Sequence, residues 1–315
     1  MQEKPLLIAV VGATASGKSA LGAQIAAHYG GEVISADSMQ LYEGLDIATA
    51  KPTKEEMLGV PHHLISVLPP DHACSVAEYV EMARKTIADI LSRGKLPVVV
   101  GGTGLYADAL LDNIQFPEIP ADAALRERLH REAELFGNDA LLRRLAVCDP
   151  ETAARLHENN LRRIIRALEV FELTHIPLSE HARRSRAVPP PWNVLRIGIA
   201  YKERGLLYDR IRLRVEEMCE RGLADEVREE YFSGRRRDTA AMAIGYKELL
   251  PWVRGEEPFA DGIERVRRET CRYAKRQETW FRRNAQICWI NRDENCEKWE
   301  IFTNCQKIIE KCTPM

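Results

Sequence analysis

A short segment near the amino terminus constrains this chain most strongly. It matches the pattern G-x4-G-K-S and directly follows the apolar run of residues 6–11. A buried strand that leads through a glycine loop into a helix aims backbone N–H groups and a helix N-terminus at one anion. The pattern therefore predicts a site for a ligand with at least two linked phosphates. This phosphate loop consists of Gly12, Ala13, Thr14, Ala15, Ser16, Gly17, Lys18 and Ser19.

Two side chains of the phosphate loop have distinct expected roles. Lys18 would reach the outer phosphate, and the Ser19 hydroxyl would hold Mg²⁺. Most phosphate-loop proteins bind ATP or GTP, and a typical hydrolase adds an apolar strand that ends in Asp. Here the apolar run 96–100 is followed by two glycines and a threonine. On the first hundred residues alone, the pattern favours a small-molecule kinase.

The composition is that of an ordinary globular protein. The 315 residues are 45% hydrophobic and 29% charged, which allows one large domain with an insertion or two domains. No apolar run approaches the roughly 18 residues that span a bilayer, and the amino terminus lacks the pattern of a signal peptide. We therefore expect a cytoplasmic protein with no membrane partner. The eight cysteines form no C-x2-C pair, which indicates free thiols and no zinc site.

Charge is distributed unevenly along the chain. Residues 1–113 carry 8 basic and 13 acidic side chains, whereas residues 114–315 carry 37 and 34. The second part is rich in arginine, which suits a polyanionic partner. Arginines that alternate with glutamates on helices also describe a solvated face, and composition alone does not separate the two interpretations.

The first hundred residues alternate between helix and strand patterns. We predict a helix over 20–29, strands over 32–36 and 96–100, and a helix over 75–93 that opens with a Ser-x-x-Glu capping box. Near-continuous apolar strands are buried on both faces, which predicts a parallel sheet with helices on each side. The fold class is therefore α/β, a doubly wound parallel sheet of the phosphate-loop type.

The remaining chain predicts a helical insertion into this core. We expect residues 1–118 to form the first part of the core and residues 119–190 to form an arginine-rich helical insertion. Residues 191–315 would return to the core, with a strand at 195–200 and one long basic helix at 263–284.

Three segments should meet at the carboxyl edge of the sheet, where ligands bind in such folds. They are the phosphate loop, Asp37 after the second strand, and residues 101–104. Asp37 could be a helix N-cap, a second-layer Mg²⁺ ligand or a general base. Thr103 could donate to a leaving oxygen or be a plain turn residue. His62 and His63 would point to opposite faces of an extended strand, so a shared metal is not expected.

Taken together, segments across most of the chain resemble the tRNA dimethylallyltransferases, also called tRNA isopentenyltransferases. The resemblance is far more specific than the phosphate loop alone. The segments that carry it are residues 12–19, 34–42, 48–52, 61–65, 100–106, 163–170, 243–248, 274–277 and 279–282.

The resemblance implies transfer of a dimethylallyl group from dimethylallyl diphosphate to N6 of an adenosine beside the tRNA anticodon, with release of diphosphate. It implies that the phosphate loop holds the leaving diphosphate with Mg²⁺, that Thr103 contacts it near the bridging oxygen, and that Asp37 accepts the N6 proton. The expected partner is the anticodon stem-loop of tRNA, and we expect a monomer. Implied tRNA contacts are Asp37, Ser38, Met39, Gln40, Thr103, Arg126, Arg162, Arg163, Ile164, Ile165, Arg166, Lys275, Arg276, Gln277, Trp280 and Arg282.

The chain departs from the family pattern at three positions. Ala13 stands where Pro is usual, Met242 where Gln or Arg is frequent, and Arg162 where Gln is frequent. Two further functions stay open on the sequence alone: prenyl transfer to free adenine nucleotides, which needs no tRNA contacts, and RNA binding without catalysis.

Overall fold

The computed structural model describes residues 4–116, 119–235, 239–292 and 298–312. The chain divides into two compact units. Met1–Leu111 together with Pro191–Met315 form one, which we call the core unit, and Asp112–Pro190 form the other, the helical unit.

A six-stranded parallel sheet organises the core unit. Its strand order is β3-β2-β4-β1-β5-β6, and every neighbouring pair runs parallel. The strands β2 and β4 are buried along their whole length, as expected for a sheet covered on both faces. The predicted α/β fold is confirmed. The strands are β1 Leu6–Gly12, β2 Glu32–Ser35, β3 His62–His63, β4 Pro97–Gly101, β5 Asn193–Ala200 and β6 Ile287–Asn291.

The helices follow the predicted pattern closely in the first hundred residues. The N-cap bond of the predicted capping box is present, since the Ser75 hydroxyl accepts a hydrogen bond from the Glu78 amide at 3.1 Å, while the Glu78 carboxylate pairs with His72 at 2.7 Å. In chain order the helices are α1 Lys18–His28, α2 Val76–Ser92, α3 Gly104–Leu111, α4 Ala123–Phe136, α5 Asn138–Cys148, α6 Pro150–Ala153, α7 Leu161–Thr174, α8 Leu178–Arg184, α9 Arg204–Glu220, α10 Leu223–Phe232, α11 Leu250–Val253, α12 Phe259–Phe281 and α13 Lys298–Cys312.

The carboxy-terminal segment completes the core unit in a way that the sequence did not predict. Strand β6 adds an edge to the sheet beside β5. Helix α13 then places Ile301, Cys305 and Ile309 in the same apolar cluster as Ile25 of α1. Cys296 lies outside the described residues, and the other seven cysteines are free thiols. Among the described residues, no helix is long and apolar enough to cross a membrane.

The helical unit packs around its own apolar core. Leu129, Leu145, Ile164 and Leu168 are almost completely buried there. Its two ends are held together within the unit, because the Asn113 side chain donates to the carbonyl oxygens of residues 188 and 189 at 3.3 and 3.2 Å. These bonds give a physical reason why the unit begins at residue 112, a few residues before the start expected from sequence.

Candidate active site

The loops that follow β2 and β4 are joined at the carboxyl edge of the sheet. The Thr103 hydroxyl oxygen accepts a hydrogen bond from the Ser38 amide at 3.0 Å, and the Thr103 amide donates to the Ala36 carbonyl at 3.2 Å. A small cleft of about 40 Å³ lies at this junction. Its walls bring together Thr14, Lys18, Ser19, Asp37, Gln40, Thr49, Val100, Gly101 and Arg214.

The phosphate loop has the geometry of an anion receptor. Helix α1 begins at Lys18, and the preceding Gly17 has a left-handed backbone with φ 94°, which glycine adopts at no steric cost. From the end of β6, the Arg292 guanidinium donates to the Ser16 carbonyl at 3.0 Å. Arg292, directly after β6, therefore holds the loop while the N-terminus of α1 faces the cleft.

Lys18 is the central cation of this cleft. Its ammonium donates to the Ala13 carbonyl oxygen at 3.2 Å. Burial, reinforced by the nearby Arg214 cation and opposed by the Asp37 carboxylate, lowers the pKa of Lys18 to about 8. An arriving diphosphate would favour the protonated form, because an anion beside an ammonium stabilises its charge.

This pKa predicts a pH dependence of anion affinity. The protonated fraction of Lys18 falls as the pH rises through about 8, and only the charged form attracts an anion. We expect the affinity for pyrophosphate, measured by calorimetry at saturating Mg²⁺, to be flat below pH 7 and to weaken above pH 8 by at most about tenfold per pH unit. The Lys18→Arg variant stays charged and serves as the control for ionisation of the ligand. A wild-type profile that matches that of Lys18→Arg would contradict this assignment.

Arg214 of α9 reaches the same cleft, although it was not predicted from the sequence as a site residue. Its guanidinium donates to the Thr14 hydroxyl at 3.2 Å and to the Ala50 carbonyl at 3.4 Å. Burial lowers its pKa, and the Asp37 carboxylate opposes that effect. A signal existed in the sequence: residue 214 lies on the face of α9 that also carries the buried Ile211. An arginine on an apolar helix face indicates a buried partner or ligand.

Asp37 is fixed where two cavities meet. One carboxylate oxygen accepts a hydrogen bond from the Met39 amide at 2.9 Å, which sets the orientation of the group. The residue lines both the small cleft and an adjoining cavity of about 230 Å³. Apolar side chains that line this second cavity are Met39, Ile211, Val215, Met218, Met242, Ile244 and Val266.

Thr103 links the loop after β4 to the loop that carries Asp37. Its hydroxyl oxygen accepts from the Ser38 amide at 3.0 Å, and the hydroxyl donates to the Ser38 hydroxyl at 3.4 Å. Tyr273 of α12 lies against Thr103; burial and the Asp37 charge raise the pKa of Tyr273 to about 12. Tyr273 therefore stays neutral at physiological pH. In the sequence, Tyr273 stands out only as an aromatic residue within the predicted basic helix 263–284.

The residues implied as tRNA contacts fall into different environments. In the core unit, Lys275, Arg276 and Arg282 are exposed, whereas Gln277 is only 4% exposed and makes its hydrogen bonds within the protein. Gln40 is also engaged internally, since its amide donates to the Ala50 carbonyl at 3.2 Å. Direct contact with RNA through the Gln277 side chain is therefore not compatible with this arrangement.

In the helical unit, Arg162 and Arg163 are exposed on the first turn of α7. Ile164 and Ile165 are 0% and 3% exposed, so their side chains pack in the core of the unit and do not face RNA as the resemblance implied. Adjacent residues of a helix point in different directions, which explains why one segment contains both groups.

Arg126 and Arg166 share one buried carboxylate in the helical unit. Glu169 is 0% exposed and accepts from Arg126 Nε and Nη2 at 2.8 and 3.0 Å and from Arg166 Nη1 at 2.7 Å. Both arginine side chains remain about two-fifths exposed, at 42% and 40%. Each guanidinium has five N–H groups, so N–H groups not bonded to Glu169 can still donate to an anion.

A family model described as IPP transferase matches residues 40–284, and one described as isopentenyl transferase matches residues 5–66. This chain belongs to the IPP transferase family. The tRNA dimethylallyltransferase of Acetivibrio thermocellus is 46% identical over 305 residues, which cover 96% of this chain and 95% of that relative. The relative of the same name from Shouchella clausii is 47% identical over 302 residues, with 96% of each chain covered.

Solved structures agree with this assignment. The tRNA isopentenylpyrophosphate transferase of Bacillus halodurans is 41% identical with a TM-score of 0.70, and the match covers 98% of both chains. A eukaryotic dimethylallyltransferase, described as acting on tRNA, has a TM-score of 0.82 at 29% identity, with 98% of this chain and 79% of that chain covered. The resemblance stated from the sequence motifs is confirmed, and the family favours prenyl transfer over a small-molecule kinase.

Proposed function

We propose that this protein transfers a dimethylallyl group from dimethylallyl diphosphate to N6 of the adenosine adjacent to the tRNA anticodon, and releases diphosphate. The observation that carries the proposal is the adjacency of three features in the core unit. An anion-binding loop, a fixed carboxylate at Asp37 and a largely apolar cavity meet at one edge of the sheet. Relatives named tRNA dimethylallyltransferase match almost the whole chain.

The diphosphate of the donor would bind at the phosphate loop. Backbone N–H groups at the start of α1, the Lys18 ammonium and the Arg214 guanidinium all face the cleft. The Ser19 hydroxyl lines it too, and such a hard oxygen ligand fits Mg²⁺. When bound, the ion would neutralise charge on the diphosphate. The dimethylallyl tail would lie in the adjoining apolar cavity, where Met218 and Ile211 form part of the wall.

The reaction breaks one bond and forms another at the same carbon. The allylic C–O bond to the diphosphate breaks, N6 supplies the electron pair of the new C–N bond, and the N6 proton moves to the Asp37 carboxylate. Negative charge grows on the departing oxygen, where Lys18 and the loop N–H groups oppose it and the Thr103 hydroxyl donates to it. These groups act on the leaving group, whereas Asp37 acts on the nucleophile.

Transfer of radioactive label tests the reaction and separates it from the alternatives. Purified protein is incubated with labelled dimethylallyl diphosphate, Mg²⁺ and bulk tRNA. We expect the label in tRNA, at the adenosine beside the anticodon after nuclease digestion. Label only in AMP or ADP would identify a nucleotide prenyltransferase, and ATP consumption with a small acceptor would identify a kinase. Binding of tRNA without any transfer of label would identify a non-catalytic RNA-binding protein.

The anticodon stem-loop is the proposed tRNA element, and a monomer in the cytoplasm is the proposed working form. Exposed arginines and lysines on α7 and α12 have the chemistry to bind RNA phosphates, which fix orientation without reading sequence. A target base inside a stacked loop must be extruded before its N6 can reach Asp37.

Replacing Lys275 and Arg276 together with Ala should weaken tRNA binding and reduce its salt dependence. Each phosphate contact in single-stranded RNA contributes about 0.7 to the slope of log K against log salt, so loss of two contacts should flatten the slope by roughly 1.4. The measurement is a filter-binding titration at several salt concentrations. Arg272→Ala is the matched control, because Arg272 is exposed on the same helix and pairs with Glu269 at 2.6 Å. An unchanged slope would show that the two cations do not contact phosphate.

A further inference from the structure

We infer that Gln277 is a positioning residue of the active site and does not contact RNA. It would hold the phosphate loop and the loop after β4, which contains Thr103, in their positions relative to each other. The inference rests on the proposed function, because it concerns the site at which the diphosphate would bind. Gln277 lies on α12, and its side chain is buried with 4% of the residue exposed. The residues next to it in sequence, Lys275 and Arg276, are exposed.

Both ends of the Gln277 amide are used within the protein. Its carbonyl oxygen accepts from the Thr14 amide of the phosphate loop at 2.8 Å. Its Nε2 donates to the Gly102 carbonyl, in the loop after β4, also at 2.8 Å. One side chain thus connects the carboxyl ends of two strands that each supply active-site groups. A buried amide with both of its hydrogen-bond partners in place holds its neighbours tightly. Breaking either bond would leave a buried donor or acceptor without a partner and away from water.

The backbone of the β4–α3 loop is shaped to receive this helix. A Cβ on Gly102 would lie 2.2 Å from Gln277 Nε2, and one on Gly104 would lie 2.2 Å from Trp280 Cδ1. Trp280 is in turn fixed by donation from its indole N–H to Asp108 of α3 at 2.7 Å. The two glycines therefore permit the approach of two side chains that lie one turn apart on α12.

A third residue of α12 continues the same face into the site. Tyr273, one turn before Gln277, interacts with the side chains of both Gln277 and Thr103. Residues 273, 277 and 280 are spaced i, i+4 and i+7, so they share one face of the helix. Side chains on that face contact Thr14, Gly102 and Thr103. The exposed basic side chains lie elsewhere on the helix.

Two substitutions separate a positioning role from RNA contact. Gln277→Met keeps the length of the side chain and removes both hydrogen bonds. Gln277→Glu keeps the acceptor for Thr14 but places a carboxylate oxygen against the Gly102 carbonyl. Small displacements of active-site groups cost up to about 100-fold in rate. We therefore expect both variants to bind pyrophosphate with Mg²⁺ at least about tenfold more weakly and to lose about 10- to 100-fold in kcat, with tRNA affinity within about threefold of wild type.

The test measures three quantities in the full-length protein: pyrophosphate affinity by calorimetry without RNA, tRNA affinity by filter binding, and kcat in the labelled transfer assay. Arg272→Ala is the matched control, because Arg272 is exposed on the same helix and pairs with Glu269, and it should leave all three quantities near wild type. Weaker tRNA binding by the Gln277 variants with normal pyrophosphate affinity would overturn the inference in favour of RNA contact. Wild-type levels of all three quantities would also overturn it. Failure of the wild-type protein to transfer label would instead refute the proposed function.

A double-mutant cycle keeps the inference testable if a single variant folds poorly. Gly102→Ala should reproduce the loss seen in Gln277→Ala, because its new methyl group displaces the Gln277 amide. When Gln277→Ala is added, the displaced group is gone, so the double variant should be no worse than the poorer single variant. Losses that add in full would show that the two residues act independently and would contradict the inference.

Discussion

Replacing Asp37 with Asn should lower kcat by about 10²- to 10⁴-fold, the range expected when a general base is lost. The exocyclic N6 of adenine is a weak nucleophile, so removal of its proton by a carboxylate matters for the rate. The amide of Asn has nearly the same shape and cannot accept that proton. The measurement is single-turnover transfer of the labelled dimethylallyl group to tRNA.

The geometry around Asp37 makes this substitution specific. The Asn oxygen can still accept from the Met39 amide, so the loop after β2 should keep its conformation. We therefore expect tRNA affinity to stay within about threefold of wild type. A group that acts only in the transition state does not contribute to binding of the substrate in its ground state. Asp37→Ala, which also removes the bond to Met39, should lose at least as much activity. Normal turnover by Asp37→Asn would remove Asp37 as the base.

The parts of the fold that were predicted from sequence are those with strong local signals. A glycine loop between an apolar strand and a helix, a Ser75–Glu78 capping box and continuous apolar strands all depend on residues close in sequence. Strand β6 and helix α13 were missed. The strand Ile287–Asn291 is short and follows a long helix, and its pairing with β5 joins segments about ninety residues apart, which periodicity does not reveal.

The candidate site was predicted in part for the same reason. The carboxyl ends of parallel strands share an edge, so the proximity of the phosphate loop, Asp37 and Thr103 follows from the sheet alone. The contributions of α9 and α12 do not follow from it. Arg214 and Gln277 reach the phosphate loop only because those helices pack beside it, and the bonds to Thr14 span 200 and 263 residues of sequence.

In the arginine-rich segments, the pattern of charges in the sequence does not identify which side chains are available to bind RNA. From sequence, arginines mixed with glutamates could indicate either RNA contacts or a solvated face. The structure shows that Glu169 is buried and organises Arg126 and Arg166, which no pattern of charges specifies. A buried carboxylate that satisfies two half-exposed guanidinium groups restrains them while leaving N–H groups free for an anion. These two arginines therefore remain proposed tRNA contacts, with an internal partner that the sequence did not indicate.

Replacing Arg214 with Ala should reduce kcat/KM for dimethylallyl diphosphate by about 10²- to 10³-fold, comparable to losing one preorganised donor to a developing anion. Its guanidinium contacts the Thr14 hydroxyl and shares the cleft with Lys18 and Ser19, so it can oppose charge on the departing diphosphate. Initial rates at varied donor and saturating tRNA measure the effect.

The matched control is Arg212→Ala. Arg212 lies on the same helix, is exposed and pairs with Asp209 at 2.7 Å, so its loss should change kcat/KM by less than about threefold. The Arg214 cation disfavours the charged form of Lys18, so removal of Arg214 should also raise the pKa of Lys18. The pH at which pyrophosphate affinity begins to weaken should therefore move upward in Arg214→Ala. An unchanged pH profile, together with wild-type kcat/KM, would exclude Arg214 from the diphosphate site. Lys18 and the N–H groups of the phosphate loop would then be the groups that bind the diphosphate.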